Sequence, residues 1–116
     1  MPEQERQGIL SVREVGSSTI VTLAGEVDLH FSPQVHDVLD RACGRSPERL
    51  ILDLSAVGYM DSSGIGTLVW GYRRVQGYGG RFFLVGLQDK VKALLEITQL
   101  QQFFTVLDRL DEALEA

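Results

Sequence analysis

Short, continuous apolar runs alternate along the chain with segments in which apolar residues recur every three or four positions. The first two runs, 9–13 and 19–24, are rich in β-branched residues, and the turn residues Gly16-Ser17-Ser18 separate them. They predict an antiparallel hairpin. A third run, Leu50 to Leu54, is almost continuously apolar, which is typical of a strand buried on both faces in the middle of a sheet.

Helical spacing predicts two helices in the first two thirds of the chain. Ser32 is expected to cap the first one, because proline follows it and Gly44 stands just past the last periodic residue. After the third run, the residues from Ser55 to Met60 are expected to form a loop. A second helix is then predicted from Ser62 to about Gly77.

The last third repeats the alternation of strand and helix. Strands are predicted at Phe82–Val85 and Phe103–Val106, with a helix introduced by Gln88-Asp89 between them and a final helix capped by Asp108. The order β-β-α-β-α-β-α-β-α places about four helices on a mixed β-sheet that starts with an antiparallel hairpin. We therefore predict an α/β fold.

The amino-acid composition is typical of a single globular domain. The 116 residues are 44% hydrophobic and 23% charged, which suffices for a single core. We expect residues 1–8 to be a flexible N-terminal segment and residues 9–116 to form the domain. The first eight residues lack the apolar region of a signal peptide, and no later run approaches the length of a membrane span. The sequence thus predicts a cytoplasmic protein with no membrane contact.

The net charge and the few cysteine and histidine residues argue against nucleic-acid binding and against a metal site. A net charge of −5 argues against direct binding to nucleic acid, which depends on clustered Lys and Arg. The single cysteine, Cys43, cannot form an internal disulfide and is expected to be a small hydrophobic residue near a helix end. His30 and His36 lie six positions apart across a helix start, so solvated or capping roles are favoured over a metal site. We predict no metal and no cofactor.

The run Asp61-Ser62-Ser63-Gly64-Ile65-Gly66 is the strongest candidate for a functional site. Asp61, Ser62 and Ser63 all carry side chains that can accept hydrogen bonds from a first helical turn, so any of the three is a candidate N-cap. Gly64 and Gly66 are harder to explain, because each glycine costs a helix about 1 kcal/mol relative to alanine. Their presence indicates that a small surface is required there.

A helical projection separates an apolar side of this helix from a polar one. The apolar set is Ile65, Leu68, Val69, Tyr72 and Val75; the outer or border set is Ser62, Ser63, Gly66, Trp70, Arg73 and Gly77. A glycine-lined helix end with two hydroxyls suits close approach by another protein, and Trp70 is a candidate anchor for it. The alternative for Trp70 is packing along a neighbouring loop or the stem of Arg74.

A phosphate on Ser62 would lie at the positive end of the helix dipole, where the fold should tolerate it. It would add nearly two negative charges beside Asp61, where a partner surface must fit. We therefore expect phosphorylation to switch an interface rather than to unfold the domain.

Over nearly its whole length the sequence resembles the bacterial anti-sigma factor antagonists, which are stand-alone members of the STAS domain family. The matching segments are Gly25-Glu26-Val27-Asp28, Leu52-Asp53-Leu54-Ser55, Tyr59-Met60-Asp61-Ser62-Ser63-Gly64-Ile65-Gly66, Gly79-Gly80, and Val91 to Leu100 with Ile97-Thr98-Gln99-Leu100. One departure is Gln99, where members often have glycine before the leucine. Any effect of this departure is expected to be confined to the backbone of a turn far along the chain, and the serine motif is intact.

The resemblance implies a phosphorylation cycle at the serine that follows the aspartate, which is Ser62. The unmodified antagonist would bind an anti-sigma factor that is also a serine kinase and so release a sigma factor; phosphorylation by that kinase would end the binding, and a serine phosphatase would restore it. Asp28 and Asp61 would lie at the binding surface, and Ser63 and Gly64 would shape the helix end. With Ser62, Gly66 and Trp70 these are the predicted partner-binding residues.

Other functions fit the residues less well. A nucleophile elbow needs glycine where Asp61 stands two positions before Ser63, and neither histidine is evidently placed to activate Ser62, so we predict no enzymatic activity. Gly64-Ile65-Gly66 is only a fragment of a dinucleotide-binding fingerprint, since Val69 stands at the third glycine position. The remaining alternative is a STAS interaction module of another signalling or transport complex, without phosphorylation. Nothing demands a stable oligomer, so we expect a monomer or weak dimer.

Overall fold

The computed structural model describes residues 7–116, and its order of elements confirms the predicted α/β fold. The elements are β1 (Gly8–Val15), β2 (Ser18–Val27), α1 (Ser32–Cys43), β3 (Arg49–Met60), α2 (Ser62–Gly77), β4 (Arg81–Val85), α3 (Asp89–Ile97), β5 (Thr105–Leu107) and α4 (Leu110–Glu115). Most of the predicted flexible segment 1–8, namely residues 1–6, lies outside the described residues. Gly8 is already the first residue of β1.

One five-stranded mixed sheet contains the strands in chain order, β1-β2-β3-β4-β5. β1 pairs antiparallel with β2, which confirms the predicted hairpin, and every other neighbouring pair is parallel. In the parallel register Ile20 lies beside Ile51, and Ile51 beside Phe83. Because parallel strands end at a common edge, the chain leaves β2 and β3 side by side, and this edge positions the candidate site.

The core lies on both faces of the sheet, and alternation along β3 shows how it is divided. Leu50 and Leu52 pack in the larger cluster with buried residues of α1, α2 and α3, whereas Ile51 packs in a smaller cluster with Ala113 of α4. A strand covered on both faces must be apolar at consecutive positions, as predicted for 50–54. Cys43 is 1% exposed and packs in the larger cluster, which confirms its expected role as a small hydrophobic residue.

Several strand boundaries differ from the prediction. β1 and β2 extend beyond the predicted runs 9–13 and 19–24, to Gly8–Val15 and Ser18–Val27. Residues Ser55 to Met60 are not a loop, because β3 continues to Met60 and pairs with β2 as far as Val27. Register shifts beyond Thr22 and beyond Gly25 let the strand continue past residues that are typical of turns. β5 begins at Thr105 rather than Phe103, and the Phe104 ring packs 5.9 Å from the Phe82 ring, measured between centroids.

Two predicted helix caps are wrong. Phe31 occupies the N-cap position of α1, and the hydroxyl of Ser32, inside the helix, donates to the backbone carbonyl of Asp28 at 2.7 Å. Arg109, not Asp108, is the N-cap of α4, where its backbone N–H donates to Glu112 Oε1 at 3.1 Å. In both cases the helix begins at a different residue from the one whose side chain favoured capping.

Gln99 holds the left-handed conformation that glycine adopts without strain. Its φ is +61°, and the N–H of Leu100 donates to the carbonyl of Leu95 at 2.9 Å, closing the end of α3. We predict that Gln99→Gly raises the free energy of unfolding by about 0.5–1 kcal/mol, because it removes the steric cost of that conformation.

The measurement is urea unfolding of the wild type and of Gln99→Gly. Gln101→Gly is the matched control, since Gln101 is also an exposed glutamine but has no positive φ. The control should be slightly destabilised, because glycine adds flexibility to the unfolded chain. Equal shifts in the two variants would show that the conformation of Gln99 carries no strain.

Candidate functional site

The candidate site lies where β2 and β3 end next to each other. Asp28 follows β2 directly and Asp61 follows β3, and the N–H of Asp61 donates to the carbonyl oxygen of Val27 at 3.2 Å. This bond joins the two strand ends. The loop that leads into α1 and the first turn of α2 therefore lie side by side.

Asp61 is the N-cap of α2, which decides among the three candidates that the sequence leaves open. Its Oδ1 accepts from the N–H of Ser63 at 2.8 Å and from the N–H of Gly64 at 3.3 Å. Its Oδ2 accepts from the N–H of Leu29 at 3.2 Å. One carboxylate thus satisfies two free donors of the helix and fixes the neighbouring loop.

The same hydrogen bonds keep this carboxylate charged. Desolvation raises the pKa of the carboxyl group, but hydrogen bonds that include those from the N–H groups of Gly64, Ser63 and Leu29 lower it by more, so the pKa of Asp61 lies below its ordinary value. Because the folded-state pKa is lowered, this contribution to stability is present above the ordinary pKa and is lost as the pH falls through the lowered one. At neutral pH Ser62 therefore has an ionised neighbour.

Asp28 fixes the other side of the site. Its Oδ1 accepts from the N–H of Phe31 at 3.0 Å, and its carbonyl oxygen accepts from the N–H of Ser32 at 2.8 Å. Phe31 is 2% exposed and packs in the larger core cluster. The side chain of Asp28 therefore shapes the loop before α1, a structural role that the sequence does not reveal.

The two serines differ in exposure. Ser62, the first residue of α2, is exposed, whereas Ser63 is half-buried. The carbonyl of Ser63 accepts from the hydroxyl of Thr67 at 3.1 Å. Of the two hydroxyl-bearing residues in the motif, Ser62 is the more accessible to another protein.

The fold explains the presence of Gly64 but not that of Gly66. A Cβ on Gly64 would lie 2.4 Å from Met60 Cγ and 2.7 Å from the carbonyl oxygen of Val27, so this glycine lets α2 pack closely on the strand ends. Gly64 is buried and presents little surface to a partner. A Cβ on Gly66 would meet nothing within 4 Å, and Gly66 is exposed one turn after Ser62. The fold requires the first glycine but not the second.

Trp70 packs against helix α1, a contact that was not considered from the sequence. It is half-buried against the core, and its ring stacks on that of His36 in α1, with centroids 4.0 Å apart and planes inclined by 40°. Ser62, Gly66 and Trp70 follow one another at intervals of four residues, so they form a row along one side of α2. The row begins next to Asp61, which holds the Leu29 N–H, and at Trp70 it reaches the contact with α1.

Sequence reasoning missed Leu29. This leucine is 74% exposed in the loop between Asp28 and His30, and its N–H is held by Asp61. The available signal was a large apolar residue between two polar ones in a short connection next to the motif.

Within the described part of the chain, residues 7–116, no group of three or more His, Cys, Asp or Glu side chains is placed to hold a metal ion. None of its helices is both long and apolar enough to cross a membrane. Burial raises the pKa of the Cys43 thiol.

The chain matches a known protein family over most of its length. The STAS domain family model matches residues 9–113, which is nearly the whole chain. The chain belongs to the STAS domain family. In this STAS domain the matched region includes every strand pair and the whole candidate site.

Relatives of this STAS domain carry a consistent name. The anti-sigma-B factor antagonist of Listeria monocytogenes is 31% identical over 74% of this chain and 75% of its own. The anti-sigma F factor antagonist of Paenibacillus polymyxa is 32% identical over 77% of each. The crystal structure of an anti-sigma factor antagonist from Mycobacterium paratuberculosis superposes with a TM-score of 0.83, at 27% identity over 90% of this chain and 89% of that one.

Proposed function

We propose that this STAS domain is an anti-sigma factor antagonist, and that phosphorylation of Ser62 ends its binding to an anti-sigma factor. The observation that carries the proposal is the position of Ser62, an exposed hydroxyl-bearing residue at the start of α2 beside the ionised Asp61. The names of its relatives support an anti-sigma factor as the partner.

The first turn of α2 explains why a phosphate would remain on the surface. The N–H groups of Ser63 and Gly64 already donate to Asp61 Oδ1. They are therefore not free to bind a phosphate on Ser62. The helix dipole still favours negative charge at this end, which limits the cost to the fold. The dianion would stand next to the Asp61 carboxylate, where any partner must approach.

The partner is proposed to be an anti-sigma factor with serine kinase activity, with a serine phosphatase that reverses the modification. Both would act in the cytoplasm, where ATP is available. The net charge of −5 supports a protein partner over nucleic acid. The alternative, a constitutive interaction module, places the same surface against a partner without any modification.

Incubation with magnesium, ATP and each purified anti-sigma factor kinase of the source organism, followed by mass spectrometry, tests the phosphorylation site. We expect one phosphate on the wild type and on Ser63→Ala, and none on Ser62→Ala. Ser63→Ala is the matched control, because it removes the adjacent hydroxyl and leaves Ser62 in place.

Two outcomes would contradict the proposal in different ways. Label that persists on Ser62→Ala would assign the modification to another residue. A stable complex with an anti-sigma factor, without label under any condition, would support the constitutive module instead.

A further inference from the structure

Leu29 is an exposed apolar residue in an unusual setting. Single exposed leucines are common on protein surfaces and carry no information by themselves. Leu29, however, is 74% exposed in the short loop between β2 and α1, and its backbone N–H donates a hydrogen bond to Asp61, the residue directly before Ser62. It is therefore part of the same surface as the proposed phosphorylation site.

The loop that carries Leu29 is held on both sides. The N–H of Leu29 donates to Asp61 Oδ2 at 3.2 Å, and two residues later the buried Phe31 anchors the loop in the core while its N–H donates to Asp28 Oδ1 at 3.0 Å. A side chain on a fixed backbone loses less conformational freedom when a partner covers it. An exposed leucine in such a loop has the properties of a binding anchor.

We infer that Leu29 inserts into an apolar pocket of the anti-sigma factor, and that Asp61 is a positioning residue that holds Leu29 beside Ser62. The inference rests on the proposed function and adds the chemistry of the contact. The exposed side chain of Leu29 favours an apolar pocket, because apolar surface gains free energy when it leaves water. Asp28 Oδ1 and both oxygens of Asp61 accept backbone N–H groups and so hold the loop that presents the leucine.

The same contact explains how a phosphate on Ser62 would act. A partner that closes over Leu29 excludes water from its surroundings, and Ser62 is adjacent to the residue that holds Leu29. Burying a dianion without a compensating cation is strongly unfavourable. A neutral hydroxyl at Ser62 fits such an interface, and a phosphate does not.

The test compares Leu29→Ala with Ile97→Ala. Ile97 is a matched control: it is an aliphatic residue of similar size, 79% exposed, at the last position of α3. Because α3 connects the parallel strands β4 and β5, it runs back from the carboxyl ends of the strands, and its last residue lies toward their amino ends. Affinity for the anti-sigma factor that binds the wild type is measured by isothermal titration calorimetry, and stability by urea unfolding.

We expect Leu29→Ala to weaken binding by about 10- to 50-fold, as for loss of a buried aliphatic side chain, with an unchanged unfolding midpoint. Ile97→Ala should bind like the wild type. Binding of Leu29→Ala within twofold of the wild type would overturn the inference, while phosphorylation of Ser62 by the same protein would still support the proposed function. Absence of both complex and phosphorylation in the wild type would instead reject the proposed function.

A double-mutant cycle tests the positioning role of Asp61. In the Asp61→Asn variant an amide nitrogen takes the place of Oδ2, and this nitrogen cannot accept a hydrogen bond from the Leu29 N–H. Asp61→Asn should therefore weaken binding in the wild type but much less in the Leu29→Ala background. Equal fold-changes in the two backgrounds would show that Asp61 does not act through Leu29.

Discussion

Replacing Gly64 by alanine is expected to lower the free energy of unfolding by about 2–3 kcal/mol, as for other overpacked positions. The added methyl group would lie 2.4 Å from Met60 Cγ and 2.7 Å from the carbonyl oxygen of Val27. The methionine side chain can move, but the carbonyl belongs to a paired strand. Relief therefore requires α2 to shift away from the strand ends. Urea unfolding measures the change.

Gly66→Ala is the matched control in the same helix. Its methyl group would meet nothing within 4 Å, so better helix propensity should raise the free energy of unfolding by up to about 1 kcal/mol. The two substitutions lie only two residues apart, yet they are expected to change the free energy of unfolding in opposite directions. A Gly64→Ala variant as stable as the wild type would show that α2 does not depend on close contact with Val27.

Phosphorylated protein is expected to bind the anti-sigma factor at least about 100-fold more weakly than unmodified protein, because the dianion must lose its water at the interface. The unfolding midpoint should change little, since Ser62 is exposed and lies at the positive end of α2. Trp70, the single tryptophan, lies two turns from Ser62 and gives a fluorescence signal for the titration.

Phosphatase treatment provides the control for this comparison, because it should restore affinity in the same sample. Ser62→Ala should bind like the unmodified wild type and be insensitive to kinase and ATP. A large fall in the unfolding midpoint on phosphorylation would mean that loss of the fold, rather than the charge at the interface, ends binding.

The fold was largely predictable because each element has its own pattern. Residues 50–54 indicate a central strand by continuous apolar character, and the spacing of Ile65, Leu68 and Val75 indicates a helix with one buried side. Both patterns follow from the number of faces that an element buries. Element boundaries were less predictable, since β3 passes through Ser55 and Gly58 by means of register shifts that only the pairing with β2 determines.

The site was predictable in its motif but not in its internal arrangement. Ser62 and Asp61 are conspicuous as a serine and an acidic residue at a helix start, yet three residues had equal claims to be the cap until the geometry was known. The burial of Gly64 and the contact of Trp70 with His36 depend on how α2 packs against other elements. Leu29 was missed because Asp61, the residue that holds its backbone N–H, is distant in the sequence.

Chain order in the sheet has a consequence for biosynthesis. Each strand after β1 pairs with the strand synthesised just before it, so from β2 onwards every new strand finds a partner that has already been made. Asp28, Ser62 and Trp70 all precede Gly77, the last residue of α2. During translation, the parts of the chain that build the surface around Ser62 therefore leave the ribosome ahead of β4, β5 and the two helices that complete the domain.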